Sequence, residues 1–252
     1  MIISGHQPCY LPWVGVFHKL ELSDVFVYMD TVQYLRNDWN NRNLIRVPDG
    51  SVWLTVPIDN QNSKGKMLNQ IAISSVNHGR RKNWQTRHWE TIKRNYKKAP
   101  YFPRYCDELE AMYTGKTWTS LVALCWEQFN FLREHFELGD KKIVRMSEKA
   151  FDGKKSDLIL DHCLKLNGKG VVLGENGANY IDIEKFKEKR IKLFFQHFSH
   201  PVYEQRYPNF VPKMSALDLL LNHGPESRSI FLRNNISYRE LRTGKYWAEY
   251  YE

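Results

Sequence analysis

Residues able to bind a ligand and move a proton are concentrated in the motif HQPCYLPW, which begins at His6. The imidazole of His6 can exchange a proton near neutral pH, and the Gln7 amide and the Tyr10 hydroxyl can hold a polar ligand. Pro8 and Pro12 fix their own φ angles and favour extended backbone in the residue before each of them. The motif therefore predicts a stiff loop that positions an acid–base group beside a ligand. The alternative is a turn whose aromatic side chains only enter the core.

The four cysteines of the chain are widely separated, and no two of them have CxxC spacing. This pattern favours neither a zinc site nor a disulfide framework. Cys9 lies inside the motif and could be a nucleophile, because a neighbouring histidine can lower the pKa of a thiol. We expect it instead to be a small buried residue, since free cysteines commonly pack as apolar side chains.

The composition is that of a folded globular protein rather than a membrane-spanning one. Of the 252 residues, 42% are hydrophobic and 26% are charged. No apolar run approaches the ~20 residues that are needed to span a bilayer. The first residues lack the basic and then apolar pattern of a secretory signal, so we expect a cytoplasmic protein without a membrane partner.

The formal net charge of +9 indicates an anionic partner. Basic residues cluster at 80–82, 93–98 and 185–192. Such clusters can bind nucleic acid, a phosphate-bearing small molecule or an acidic carrier protein, although a solvated helix face is their commonest explanation. No helix-turn-helix, RNP or zinc-finger signature is present, which makes nucleic acid the least favoured of these partners.

The first thirty residues have the pattern of a βαβ unit. Residues 1–4 and 25–29 are strand-like, and residues 13–22 carry apolar side chains at helical spacing. Two strands joined in this way lie parallel, so the loop after His6 is predicted at the carboxyl edge of the sheet, where α/β proteins bind ligands. Asp30 follows the second strand and is predicted to face the same crevice.

Further elements complete an α/β fold with a mostly parallel central sheet, a β-hairpin and an α-rich part. The hairpin is predicted at 45–58, other strands at 66–74, 143–146, 170–173 and 191–195, and helices at 81–96, 109–113, 120–136, 156–166 and 215–221. We expect a single domain over 1–252, with two lobes at 1–105 and 106–252 as a finer division.

His88 is a second catalytic candidate. It shares a predicted helix face with Trp84, Ile92 and Tyr96, because these residues are separated by steps of four. A histidine among aromatic rings is either packed and hydrogen-bonded or functional, and the packed state is slightly favoured here.

Two later segments also carry candidate residues. Gly174 and Asn176 follow a predicted strand, where a glycine lets the backbone approach an anionic or sugar ligand, although a tight turn is its ordinary role. Ser215 is a predicted N-cap, and Asp218 stands where an acidic residue completes a capping box. Capping is therefore the first interpretation of Asp218, and orienting a histidine or an amine is the second.

Together these motifs resemble the WbqC-like family, whose order they follow over nearly the whole chain. The resemblance is carried by His6-Gln7-Pro8, Tyr10-Leu11-Pro12-Trp13, Asp30, Asn41-Arg42, Trp53-Leu54-Thr55-Val56-Pro57, His88-Trp89, Ser147-Glu148, residues 174–182, His200-Pro201-Val202-Tyr203, Gln205 and residues 215–218. Cys9 stands where the family often has an amide residue, which argues against an obligatory thiol nucleophile.

The resemblance implies chemistry on an amino sugar in the biosynthesis of bacterial surface polysaccharide, the O-antigen of lipopolysaccharide. The implied reaction moves a small acyl or aminoacyl group, such as glycyl, to the amine of a nucleotide-linked sugar. The acyl donor is then a thioester on an acyl carrier protein or an acyl-adenylate made with ATP. The acyl-adenylate is suggested by the order of the first elements, which is similar in outline to that of pantothenate synthetase and other HxGH-type adenylate formers. The HxGH pair itself is absent.

Such a transfer needs a base for the amine, donors for the developing oxyanion and cations for the diphosphate. His6 is the first choice as base, and Asp30 is expected to orient it or to bind the amine. The expected substrate-binding residues are Gln7, Asn41 and Asn176 for the oxyanion or sugar hydroxyls, Arg42 for phosphate, Tyr10, Trp13 and Trp53 for stacking, and in addition Glu148, Gly174, Tyr180, Gln205 and Asp218. The alternative is a non-catalytic sugar- or carrier-binding module, which would use the same aromatics and amides without a titrating histidine.

Overall fold

A parallel β-sheet lies at the centre of the computed structural model, which describes residues 1–59, 63–74 and 83–247. Within these residues the strands are β1 (Ile2–His6), β2 (Val25–Tyr28), β3 (Arg42–Val47), β4 (Gly50–Thr55), β5 (Lys142–Arg145), β6 (Gly170–Gly174) and β7 (Lys192–Gln196). The central sheet has the order β5-β2-β1-β6-β7, and all neighbouring strands in it are parallel. The predicted α/β class with a parallel central sheet is confirmed.

The helices surround this sheet and include the predicted crossover between its first two strands. In the described ranges they are α1 (Val14–Glu21), α2 (Trp84–Tyr96), α3 (Phe102–Thr114), α4 (Leu121–His135), α5 (Ser156–Lys165), α6 (Ile183–Glu188), α7 (Ala216–His223), α8 (Ser227–Leu232) and α9 (Tyr238–Arg242). None of these described helices is long and apolar enough to cross a membrane.

The alternation of side chains along the strands gives the sheet two buried faces. On one face, Phe26 and Tyr28 pack with α1 and α4, and the rings of Phe26 and Phe129 are stacked with their centroids 5.7 Å apart. On the other face, Val25 packs with α5 and α6. His6 is directly opposite Tyr28 in the strand register, so its side chain belongs to the face that α1 and α4 cover.

The hairpin of β3 and β4 forms a separate antiparallel sheet, as predicted. The strand predicted at 66–74 is wrong, because this segment contains a 3-10 turn at Leu68–Gln70 instead. Met67 and Ile73 form isolated bridges with two different segments, so no continuous ladder develops.

Two helix predictions differ from the structure in extent. The helix predicted at 109–113 begins earlier, at Phe102, with Pro103 in its first turn, where the missing N–H of proline costs no hydrogen bond. The helix predicted at 81–96 begins at Trp84 within the described residues. The basic cluster at 80–82 lies outside the residues that the structure describes.

Candidate functional site at the carboxyl edge of the sheet

His6 is the last residue of β1 and lies at the carboxyl edge of the central sheet. The strand predicted over residues 1–4 is longer than expected, because Gly5 and His6 continue the pairing with β2. The His6 side chain lines a narrow cavity that has room for about one water-sized group. The other lining residues are Gln7, Cys9, Pro12, Val16, Phe26, Tyr28 and Phe129. The cavity therefore lies between the motif loop, α1, α4 and one face of the sheet.

The His6 imidazole is held as a neutral base. Its Nδ1 is 2.8 Å from the Gln7 carbonyl oxygen, and since a carbonyl only accepts, Nδ1 carries the proton and Nε2 carries the lone pair. Among the described residues, none is hydrogen-bonded to Nε2. Burial, together with the nearby charge of Lys19, lowers the pKa of His6 to about 4. At neutral pH the ring is uncharged and one of its nitrogens is able to accept a proton.

Cys9 lies against the His6 ring as a protonated thiol. Its Sγ is 3.6 Å from His6 Nδ1 and 3.5 Å from the Gln7 carbonyl oxygen. Burial raises the pKa of Cys9 to about 12, so the reactive thiolate is scarce at neutral pH. This position agrees with the expected small buried residue. In the described part of the chain, no group of three or more His, Cys, Asp or Glu residues could hold a metal ion.

Lys19 is a residue of this site that the sequence analysis missed. It lies on α1, is only 7% exposed, and donates from Nζ to the carbonyl oxygen of Gly5, the residue before His6. Burial lowers the pKa of Lys19 to about 8. The sequence does contain a signal for this residue. Lys19 lies between Phe17 and Leu20 in the crossover helix of a βαβ unit, and such a helix packs on the sheet.

The motif loop is held by buried side chains as well as by its prolines. Leu11 has a positive φ of 43°, a backbone conformation that strains a residue with a side chain. Its N–H donates to Gln128 Oε1 at 2.9 Å, and its carbonyl oxygen accepts from Asn43 Nδ2 at 2.6 Å. Asn40 Nδ2 donates to the Pro8 carbonyl oxygen at 2.8 Å. These contacts fix the loop beside the cavity.

Tyr10 and His88 meet in the interior of the protein. The Tyr10 hydroxyl is 2.7 Å from His88 Nδ1 and 2.6 Å from the Tyr113 hydroxyl. Burial, with a smaller effect of Arg87, lowers the pKa of His88 to about 3, so the ring is neutral. The packed state favoured for His88 is the one found. Tyr10 is expected from the sequence to stack on a ligand ring. In the structure its side chain has no exposed surface.

Asp30 is buried at the end of β2, and its carboxylate is bonded to the neighbouring strand end. Its Oδ1 accepts from the Ser147 N–H at 2.8 Å, and its Oδ2 accepts from the Ser147 hydroxyl at 2.6 Å and from Arg145 at 3.1 Å. No hydrogen bond between described residues joins Asp30 to His6. The carboxylate is bonded instead to Arg145, the last residue of β5, and to Ser147 just after it. Glu148 is exposed, and its Oε1 lies 3.4 Å from Nη1 of the same Arg145.

The end of β6 brings Gly174 to the same edge as His6, since β6 pairs in parallel with β1. A 3-10 turn at Glu175–Asn179 follows the strand. A side chain added at Gly174 would meet open space, and Asn176 and Tyr180 are both exposed. This part of the edge is therefore exposed, and a role of Gly174 and Asn176 in ligand binding stays a prediction.

An exposed aromatic patch lies on the hairpin and on the segment before it. Trp53 is 43% exposed and Trp39 is 38% exposed, and their ring centroids are 5.2 Å apart. The Arg42 guanidinium lies over the Trp53 ring, 4.6 Å from its centroid. We call Trp39, Arg42 and Trp53 the tryptophan patch. Asn41 is buried and donates from Nδ2 to the backbone at Val56, so it does not face the patch surface.

Asp218 and Gln205 belong to a buried network of their own. The Asp218 carboxylate accepts from the hydroxyls of Tyr96 and Tyr203, each at 2.8 Å, and from Gln205 Nε2 at 2.9 Å. The capping interpretation of Asp218 is wrong, because these donors from distant segments take its oxygens. Ser215 does cap α7, as predicted.

Arg46 extends this network to the hairpin. It is 2% exposed, and its guanidinium donates to Gln205 Oε1 at 3.3 Å and to the carbonyl oxygens of Gly50, Pro208 and Asn209 at 2.8, 2.6 and 2.9 Å. The network therefore joins the hairpin, α2, α7 and the segment at 205–209. The structure places Gln205 and Asp218 there and not among the residues that line the His6 cavity.

Trp13 is the residue before α1 and is partly buried. Its ring packs edge-on against Phe198, with centroids 5.5 Å apart, and also covers Gly15, where a Cβ atom would lie 2.1 Å from the indole. These contacts agree with the interpretation that Trp13 packs in the core. A glycine is required at position 15 because the ring approaches the backbone closely there.

Comparison with known proteins gives one family and one curated relative. The model of the WbqC-like protein family matches residues 7–230. A protein of Mycobacterium tuberculosis (strain ATCC 25618 / H37Rv), called uncharacterized protein Rv1507c, is 28% identical over 222 residues, which are 88% of this chain and 93% of that protein. No solved structure matches the chain significantly. Since the family match runs from the motif loop through α7, the chain belongs to the WbqC-like protein family.

Proposed function

We propose that this chain is a transferase that forms an amide bond on an amino sugar. A small acyl or aminoacyl group, such as glycyl, is moved to the amine of a nucleotide-linked sugar that is used for bacterial surface polysaccharide. The observation that carries the proposal is the His6 imidazole, which is neutral, is fixed through Nδ1 by the Gln7 carbonyl oxygen and lines a cavity at the carboxyl edge of a parallel sheet.

The proposed step needs a base and a leaving group. The amine nitrogen attacks the acyl carbonyl carbon, a C–N bond forms, and the carbonyl oxygen takes on negative charge. His6 Nε2 removes a proton from the attacking nitrogen, whose acidity rises as the new bond forms. The carbonyl is restored when the bond to the leaving group breaks, which releases a thiolate from a carrier-protein thioester or AMP from an acyl-adenylate. The proton then passes to the thiolate, or to solvent when AMP leaves.

Lys19 supports this role of His6. Its buried ammonium lies close enough to lower the pKa of the imidazole, which favours the neutral ring that a base requires. The same positive charge favours negative charge that develops in the cavity during the transfer. Because Lys19 donates to the Gly5 carbonyl oxygen, the ammonium is held beside the end of β1.

The tryptophan patch supports the proposal that the sugar substrate carries a nucleotide. Exposed indole rings can stack on a nucleobase, and the guanidinium of Arg42 suits phosphate oxygens. The segment that carries Trp39 is tied to the motif loop, because the Tyr10 N–H donates to the Asn40 carbonyl oxygen at 3.1 Å. The two ends of a sugar nucleotide are thus held by connected segments in this proposal.

The test is a transfer assay with the purified full chain. Amino-sugar nucleotides of uridine, guanosine and thymidine diphosphate are mixed with acetyl- or glycyl-loaded acyl carrier protein, or with acetate or glycine plus ATP. Mass spectrometry follows the gain of one acyl group on the sugar. His6→Gln is expected to lower the rate by about 10²–10⁴-fold, the range for loss of a general base. The exposed His197→Gln is the matched control and is expected to keep full activity.

Two results would contradict this proposal. Transfer that is unchanged in His6→Gln would remove His6 as the base. A protein that binds the sugar nucleotides but gives no product with any donor would instead be the non-catalytic binding module.

A further inference from the structure

The His6 cavity contains a buried hydroxyl that the chemistry above does not use. Tyr28 lines the cavity and is only 2% exposed. Within the described residues its hydroxyl has no hydrogen-bond partner. A buried polar group without a partner lowers the stability of a folded protein, so its presence calls for a reason. A ligand that supplies the missing hydrogen bond is such a reason.

Tyr28 is placed to act together with the base. It is directly opposite His6 in the parallel register of β1 and β2, so both side chains leave the same face of the sheet. The rings of Trp126 and Phe129 hold the phenol in place, with centroids 4.8 and 5.4 Å away. Burial raises the pKa of Tyr28 well above its ordinary value, so the hydroxyl remains protonated and able to donate.

The cavity has the size and the lining that the oxygen of a carbonyl group needs. It has room for about one water-sized group, far less than a sugar nucleotide requires. Pro12, Val16 and Phe129 form apolar walls, whereas His6 and Gln7 are polar. The carbonyl end of an acyl group matches this combination of surfaces.

We propose that the carbonyl oxygen of the transferred acyl group enters this cavity and accepts a hydrogen bond from the Tyr28 hydroxyl. This inference rests on the proposed function and assigns the acyl carbonyl oxygen to the cavity, while the sugar nucleotide stays outside at the sheet edge. The same hydrogen bond becomes stronger when the carbonyl oxygen acquires negative charge during the attack by the amine. Tyr28 is then the oxyanion donor of the reaction.

The first test is the stability of the ligand-free protein. Tyr28→Phe removes only a hydroxyl without a described partner, so its thermal midpoint is expected to equal or exceed that of the wild type. Tyr203→Phe is the matched control, because its buried hydroxyl donates to Asp218 at 2.8 Å. The control is expected to melt about 2–4 °C lower. A decrease in Tyr28→Phe as large as that of the control would overturn the proposal, since the hydroxyl would then have a structural partner.

The second test is binding of short amides, measured by ligand-observed NMR. The wild type is expected to bind acetamide and glycinamide through their carbonyl oxygens. Tyr28→Phe is expected to bind the short amides about tenfold more weakly, the loss of one hydrogen bond. Val16→Phe is expected to abolish binding because the larger ring fills the cavity.

The two tests separate this inference from the proposed function. Equal binding of the short amides to the wild type and to Tyr28→Phe overturns the inference, even if acyl transfer to the sugar is observed. Binding of the short amides through Tyr28, without transfer from any donor, supports the inference about the cavity and contradicts only the transfer reaction.

Discussion

Tyr96 donates a hydrogen bond from its hydroxyl to Asp218 Oδ1 at 2.8 Å, and this contact links α2 to α7 in the protein interior. Tyr203 and Gln205 donate to the other carboxylate oxygen. We predict that Asp218→Asn lowers the free energy of unfolding by about 1–3 kcal/mol, because an amide has one acceptor oxygen for three donors. Urea unfolding followed by circular dichroism measures this change.

The exposed Asp140→Asn is the control for this prediction and is expected to change the unfolding free energy by less than about 0.5 kcal/mol. If Asp218→Asn were as stable as the wild type but failed to bind a sugar nucleotide, Asp218 would be a ligand residue after all.

Asp30 and Arg145 form a pair in which the carboxylate is fully buried and the guanidinium side chain is 29% exposed. We predict that Asp30→Asn and Arg145→Met each lower the free energy of unfolding by about 1–3 kcal/mol, since each leaves a buried polar group with fewer partners. The double variant is expected to lose less than the sum of the two, with a coupling energy of about 0.5–3 kcal/mol.

A double-mutant cycle in urea measures that coupling. Strict additivity would mean that the pair contributes nothing. A second readout separates the catalytic expectation for Asp30: if this residue orients His6, Asp30→Asn will also shift the pH dependence of acyl transfer.

The lowered pKa of His6 predicts how acyl transfer depends on pH. The base acts in its neutral form, so protonation of the ring at low pH removes activity. With a pKa of about 4, kcat/KM divided by the unprotonated fraction of the substrate amine is expected to stay level as the pH falls from 7 to about 5. It declines only below that, whereas an ordinary histidine would lose activity near 6.5. Lys19→Met removes the nearby ammonium and is expected to move this decline to higher pH.

The exposed Lys98→Met has the same change of charge and serves as the control, with an unchanged profile expected. A wild-type acid limb near pH 6.5 would contradict the desolvated environment of His6. A limb that does not move in Lys19→Met would show that burial alone lowers the pKa of the imidazole.

The exposed Trp53 ring predicts a contribution to nucleotide binding. Trp53→Ala is expected to weaken the binding of a nucleoside diphosphate by about 1–3 kcal/mol, the range for stacking on one base. Titration calorimetry with the uridine, guanosine and thymidine diphosphates measures the loss. Tyr246→Ala removes another exposed aromatic ring, 44% exposed, and is expected to bind as the wild type does. Equal affinity of Trp53→Ala and the wild type would remove the tryptophan patch from the nucleotide site.

The backbone framework was predictable because it follows from local patterns. The short apolar runs at β1, β2 and β6 indicate strands that are buried on both faces. The order of strand, helix and strand places His6 at the carboxyl edge. The segment at 66–74 was misleading, because Ile71 and Ile73 alternate as in a strand but pack into the core without a ladder partner along their length.

The partners within the site were not predictable, because they depend on contacts between distant segments. The donor Tyr96 is 122 residues from Asp218, so spacing alone favoured the local capping interpretation. Tyr28 lies beside His6 only in the observed strand register, and a shift of one residue would turn its side chain to the other face of the sheet. The position of Lys19 in the site could not be predicted, because it depends on which faces of α1 are covered.

The position of β1 between β2 and β6 has a consequence for synthesis of the chain on the ribosome. The strand made earliest has one neighbour soon after it, but its other neighbour, Gly170–Gly174, emerges only after α2 to α5 have been translated. Until then one side of β1 carries unpaired backbone N–H and C=O groups, which can pair with a strand from another molecule. We therefore expect the nascent polypeptide to be most open to aggregation before Gly170–Gly174 has been made.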